Sequence, residues 1–250
     1  AGVDEEAGQD VETALKALWM RSTEIDQASA VFARAGFEDP DSAAKGLVQF
    51  RDALSRRGLS TKGSERLDAV MPRLLSLLAD TEHRDRALAG VFEVLTAVSG
   101  RTAYIAMLAE HPNALQQLVL LCAKSPWFAR RTARHPLLLD ELIDPRRLFA
   151  PLHREGLEQE LDLLLAAVDP QDQEQRMERL RQFAQSNQLR VAAADVTEHI
   201  PLMVVSDYLT EIAEVATRRS LALAWEDLTA RHGCPEGTSV VQSGVLIIGY

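Results

Sequence analysis

Through most of this chain the apolar residues recur at intervals of three and four, and β-branched residues stay sparse until the last few positions. That interval is the period of a helix with one buried side, and no half-buried strand satisfies it. The series Leu67, Val70, Leu74, Leu77 and Leu78 is one instance, and Leu157, Leu161, Leu164 and Leu165 is another. The expectation is an all-α helical bundle. An apolar fraction of 46% supplies enough material for its core.

Polar and proline punctuation divides the pattern. Asp39-Pro40 reads as an N-cap with proline in the first turn, opening a helix through Ala44, Leu47, Val48 and Leu54 that stops near Gly58. "STKGSE" then reads as a polar loop, and Pro72 as a start or kink in the next helix, because proline removes a donor and clashes with the preceding turn. Asp80 or Thr81 is expected to cap a helix through Leu88, Val91, Phe92 and Leu95, ended by Ser99 and Gly100. "EHPNALQQL" and "RHPLLLDEL" share the spacing of His111 to Leu115 and Leu118 and of His135 to Leu139 and Leu142, so each His-Pro marks a helix corner. Two copies are too few for a solenoid.

Asp144-Pro145 and Ala150-Pro151 bracket a linker, which divides the chain into 1–150 and 151–250. In the second part Glu155, Glu158, Glu160 and Asp162 give a helix an acidic outer side. Asp169-Pro170, with Asp172 in the third position, is expected to open a long helix whose stripe runs Met177, Leu180, Phe183, Asn187, Arg190 and Ala194. Ser206 should cap the last helix and Gly233 end it. Its apolar residues wrap more than one side, so that helix should lie deep.

A formal charge of −10 argues against nucleic acid as a partner, since phosphate binding draws on clustered Lys and Arg. No stretch approaches the roughly 18 apolar residues of a membrane span, and "AGVDEEAGQD" lacks the basic and then apolar order of a signal peptide, which implies a cytoplasmic protein. Cys122 and Cys234 are then reduced thiols. His232 and Cys234 form an HxC pair, but the glutamate and second CxxC cysteine of a zinc deaminase are missing. No nucleophile-and-base spacing, P-loop or CxxC occurs, so catalytic, cofactor-binding and metal residues are all expected to be absent from this segment.

Two groups stand out as candidate sites. Arg130, Arg131, Arg134, Arg146 and Arg147 crowd a short interval of an acidic chain and could receive an acidic partner or an anion. Arg190 falls on the buried side of its helix, where a guanidinium needs a carboxylate or a row of carbonyls. Finally, Val245, Leu246, Ile247 and Ile248 form an aliphatic run in "GVLIIGY", the signature of a single C-terminal β-strand.

The stretches "LAEHPNALQQLVLLCAKSPWFARRTARHPLLLDELID", "RLRQFAQSNQLRVAAADV" and "IPLMVVSDYLTEIAEV" resemble the middle of the glutamine synthetase adenylyltransferase family, over about residues 90 to 250. The resemblance implies a segment of a two-headed enzyme that adenylylates and deadenylylates glutamine synthetase in nitrogen regulation, with a helical region between the heads that relays glutamine and PII signals. It implies ATP and magnesium for the parent enzyme, held by a glycine-rich turn and paired aspartates that follow the terminal strand in the family. Residues 1–150 would then be a helical regulatory or linker region, and 151–250 the helices and first strand of a truncated C-terminal adenylyltransferase domain, inactive alone. Arg190, Asp195 and Asp207 match the family's arginine and aspartates and take structural roles by that resemblance, with Asp195 or Asp207 expected to be the partner of Arg190. The alternative is a free-standing helical interaction module whose arginine cluster docks an acidic surface.

Overall fold

The computed structural model describes residues 2–21, 24–238, 245 and 247, with side chains from residue 11 onward. Twelve α-helices and one 3-10 helix follow one another in it: α1 (Gly2–Met20), α2 (Ile25–Arg34), α3 (Pro40–Arg57), α4 (Thr61–Ala79), α5 (Arg84–Val98), α6 (Thr102–Glu110), α7 (Pro112–Lys124), α8 (Pro126–Arg134), the 3-10 helix Pro136–Leu142, α9 (Pro145–Leu148), α10 (Arg154–Ala166), α11 (Gln173–Val196) and α12 (Leu202–His232). The described residues contain no strand, in keeping with an all-α fold. Of the aliphatic run expected to form one, only Val245 and Ile247 are described, in neither helix nor strand; the rest lies outside the described residues.

The chain forms two compact units, one of residues 1–150 with 192–199 and one of 151–191 with 200–250. In the first, α5 is the central helix and packs on α3, α7 and α8. Its buried residues Ala87, Leu88, Val91, Phe92, Val94, Leu95 and Val98 share one broad side of the helix, while Arg86, Ala89 and Glu93 stay exposed on the other. Gly90 makes the close approach possible: a Cβ there would lie 3.0 Å from that of Ala129 and 3.1 Å from that of Cys122. Phe92 stacks on Phe50 of α3 with centroids 4.4 Å apart.

The start of α5 also holds the turn between α2 and α3. Gly36, at φ 79°, ends α2 in a Schellman arrangement: its N–H reaches Ala33 O at 3.0 Å, and Phe37 N–H reaches Phe32 O at 3.1 Å. The two phenyl rings meet edge to face at 4.8 Å. Across the turn, Asp85 accepts the backbone N–H groups of Glu38 and Asp39 at 2.9 and 3.1 Å.

Several helix boundaries differ from those read in the sequence. α4 runs unbroken through Pro72 and takes in most of the expected "STKGSE" loop, with Ser60 Oγ capping Gly63 N–H at 3.1 Å. Burial of Val70, Met71, Leu74 and Leu75 around the proline outweighs the one lost backbone bond. Asp80 closes α4 rather than opening α5, which begins after His83. Asp39 does cap α3, accepting from Ser42 N–H at 3.0 Å, and the two His-Pro pairs do sit at corners, His135-Pro136 opening the 3-10 helix.

The second unit packs α10 and α12 with the first part of α11. Leu157, Leu161, Leu180, Phe183, Ile212, Val215 and Leu223 form its core. α11 starts later than expected, with Asp172 Oδ1 accepting Gln175 N–H at 2.9 Å. Leu202, not Ser206, begins α12, and Pro201 occupies the cap position. α12 is shallower than its composition implied: Leu202, Met203, Leu209 and Leu228 are exposed, and only Ile212, Val215 and Leu223 are fully buried. Val245 and Ile247 line a cleft with Leu209, Ala213 and Leu221 on its second apolar side. Gly233, at φ 81°, ends it as expected. No helix among the described residues is long and apolar enough to cross a membrane.

Candidate functional site

Arg190 is the most enclosed charge among the described residues, only 1% exposed on the inner side of α11. Its Nη1 donates to both oxygens of Glu160, at 3.0 and 3.1 Å, and to Asn187 Oδ1 at 3.2 Å. Asn187 Nδ2 closes the triangle on Glu160 Oε2 at 2.8 Å and also reaches Phe183 O at 3.0 Å. Glu160 of α10, which the sequence reading did not nominate, is thus a carboxylate partner of Arg190. Asp195 is half-buried in the last turn of α11, and Asp207 is exposed on α12.

Glu160 also leaves the acidic outer side assigned to it. It lies three residues after Leu157 and one before Leu161, so it flanks the buried stripe of α10, and its side chain is only 13% exposed. The network joins α10 to α11 with a satisfied ion pair. It positions protein side chains: Arg190 Nη1, the Asn187 amide and both Glu160 oxygens each meet another member.

The arginines from 130 to 147 are distributed over two helices. Arg130, Arg131 and Arg134 belong to α8, and Arg146 and Arg147 to the single turn α9, whose Asp144 cap accepts Arg146 N–H at 3.0 Å. Arg131 is half-buried and engaged, and Arg147 is exposed and engaged. Arg130, Arg134 and Arg146 are exposed, and among the described residues their guanidiniums have no carboxylate partner.

Sequence reading missed two further clusters. Glu211 of α12 accepts Arg154 N–H at 2.9 Å, which caps the start of α10, and lies 3.3 Å from His153 Nδ1. His153 Nε2 is 3.1 Å from the hydroxyl of Tyr208, on which its ring stacks. Beside them Arg154 pairs with Glu214, and that hydrogen bond and charge hold the Glu214 carboxyl below its usual range. Arg218 meets Glu158 at 2.9 Å and Arg219 meets Asp162, so two adjacent bases of α12 reach acids one turn apart on α10. These partners are more than fifty residues apart, beyond any local spacing rule.

The other cluster lies in the first unit. Arg51 Nη2 donates to the terminal carbonyls of α1, Leu18 O and, at 2.7 Å, Trp19 O, while its guanidinium sits 5.2 Å above the Trp19 ring. Burial lowers the pKa of Arg51 from its ordinary value. Trp19 Nε1–H reaches Asp68 at 2.8 Å, and the three side chains edge a cleft of about 450 Å³. Again the signal is long-range, a C-terminal cap supplied by another helix.

Comparison with known proteins adds the family. A sequence model described as glutamate-ammonia ligase adenylyltransferase matches residues 115–250. The chain belongs to that family. It is 45% identical over 239 residues, 94% of its length, to the bifunctional glutamine synthetase adenylyltransferase/adenylyl-removing enzyme of Thioalkalivibrio sulfidiphilus, and 43% identical over 242 residues to that of Nitrosococcus oceani. To the protein of the same description from Idiomarina loihiensis it is 36% identical over 249 residues. The chain spans about a quarter of the length of these relatives. The region matched by the adenylyltransferase family model takes in the arginines of α8 and α9 and the whole Glu160–Asn187–Arg190 triangle; the Trp19 cleft precedes it.

Proposed function

We propose that this chain is a helical regulatory and scaffolding segment of an enzyme that adds AMP to glutamine synthetase and removes it, and that it lacks the catalytic carboxylates itself. Its likeness to adenylyltransferases four times its length, along nearly all of its own residues, carries the reading. In this reading residues 1–150 form the regulatory or linker region, and 151–250 the opening helices of the C-terminal transferase domain, in a cytoplasmic bacterial protein. ATP and magnesium act elsewhere in the parent enzyme, and glutamine synthetase and PII are its protein partners. Arg190, held by Glu160, fixes how α10 and α11 sit and so serves as a positioning residue.

The test is an exchange. The chain replaces the matching quarter of the Thioalkalivibrio sulfidiphilus enzyme, and adenylyl transfer and removal are assayed with and without PII and glutamine. Both activities and their response to effectors should be retained, while the isolated chain, given ATP, magnesium and glutamine synthetase, should transfer nothing. Transfer by the isolated chain would overturn the scaffolding role, and activity that ignores both effectors would overturn the regulatory one.

A further inference from the structure

α8 buries Phe128, Ala129 and Thr132. On a period of 3.6 the residues at 127, 130 and 134 then share the opposite side. There Trp127 is 41% exposed, with Arg130 and Arg134 exposed one and two turns further on. Neither guanidinium has a carboxylate partner among the described residues, and α8 contains three arginines and no acid in a chain of net charge −10. The 3-10 helix packed against α8 adds Leu137, 50% exposed.

A solvated helix face accounts for arginines but not for an exposed indole in line with them. Tryptophan and arginine together are the residues most enriched among those that dominate protein interfaces, where the ring supplies apolar area and the guanidinium directional charge. We propose that this side of α8 docks an acidic protein segment that also carries an apolar side chain, with carboxylates on Arg130 and Arg134 and the apolar group on Trp127. Charge complementarity selects the occupant. Two free guanidiniums suit a pair of carboxylates, whereas a nucleic acid would bring a run of phosphates toward a chain whose net charge repels them. The inference does not depend on the adenylyltransferase reading.

The indole N–H signals of the three tryptophans give a direct readout, with that of Trp127 assigned by its loss in Trp127→Phe. The full chain is titrated with a short Glu-rich peptide bearing leucines, with polyglutamate of equal length, and with oligothymidylate. The Glu/Leu peptide should shift the Trp127 signal and leave Trp19 unmoved, and Arg130→Gln/Arg134→Gln should weaken it at least about tenfold. Trp127→Ala, followed through backbone amides of α8, should do the same without changing the thermal midpoint. Equal or tighter binding of polyglutamate or oligothymidylate would overturn the proposal, as would silence toward all three. Line broadening that grows with protein concentration before any peptide is added would assign the surface to a second copy of the chain instead.

Discussion

Arg190 shows how much a single residue's place on a helix predicts and where that prediction stops. Its burial follows from the stripe that also carries Leu180 and Phe183, but the position of its counter-ion depends on how a second helix is seated. Glu160 stands thirty positions away, and only its flanking position beside Leu157 and Leu161 hinted that it turned inward. Removing one member of a buried pair strands the other charge, so Arg190→Met and Glu160→Leu should each cost about 3–5 kcal/mol in urea denaturation. The double variant should lose much less than the sum, because nothing charged is left unpaired. Strict additivity would show that the two side chains are not coupled. Cys122 offers a second test, set by pH. Burial, helped by Glu93, pushes its thiol pKa up, while in the unfolded chain the thiol ionises near about 8.5. The folded state thus holds the proton more tightly. Its contribution is complete below the unfolded pKa and is lost as pH rises toward the folded one, at about 1.4 kcal/mol per pH unit. Between about pH 8.5 and 10 the stability of the parent chain should fall faster than that of Cys122→Ala. Parallel curves would contradict the assignment.

At the scale of elements, local chemistry was legible where a boundary is made by its own residues. The Asp39 cap, the His-Pro corners and the Gly233 stop are of that kind. It failed where packing decides: α4 does not start at Pro72 but passes through it because the surrounding residues are buried, and α12 keeps Leu202, Met203, Leu209 and Leu228 exposed although its composition resembles that of an enclosed helix. Gly90 belongs with the second group, since nothing in its neighbourhood announces that α5, α7 and α8 approach each other across it. A methyl group there gains about 1 kcal/mol of helix propensity and meets the Cβ atoms of Ala129 and Cys122, whose backbones must move apart, at about 1–3 kcal/mol. Gly90→Ala should therefore lower the melting temperature. Adding Ala129→Gly, after allowing for its own propensity loss, should recover part of the deficit. A higher melting temperature for Gly90→Ala alone would mean that the three helices have room to spare.

For the molecule as a whole, the helical class and the family were readable from the sequence, whereas the Glu211 cap of α10 and the Arg51 clasp on α1 join distant residues and needed the fold. The two units differ in construction. One gathers α3, α7 and α8 on the broad buried side of α5, and the other rests on a three-helix core with ion pairs along its rim. α11 alone among the helices has residues in both units, so it is the element through which a disturbance in one could reach the other. Phe183, 1% exposed in the second core, is the residue with which to ask whether it does. Phe183→Ala removes a ring at about 3–5 kcal/mol. If the units open separately, amide exchange should accelerate in α10, α12 and the first turns of α11 while protection in α5 and α7 stays as it was. Equal acceleration in α5 and α7 would mean that the two cores unfold as one, with α11 transmitting the loss.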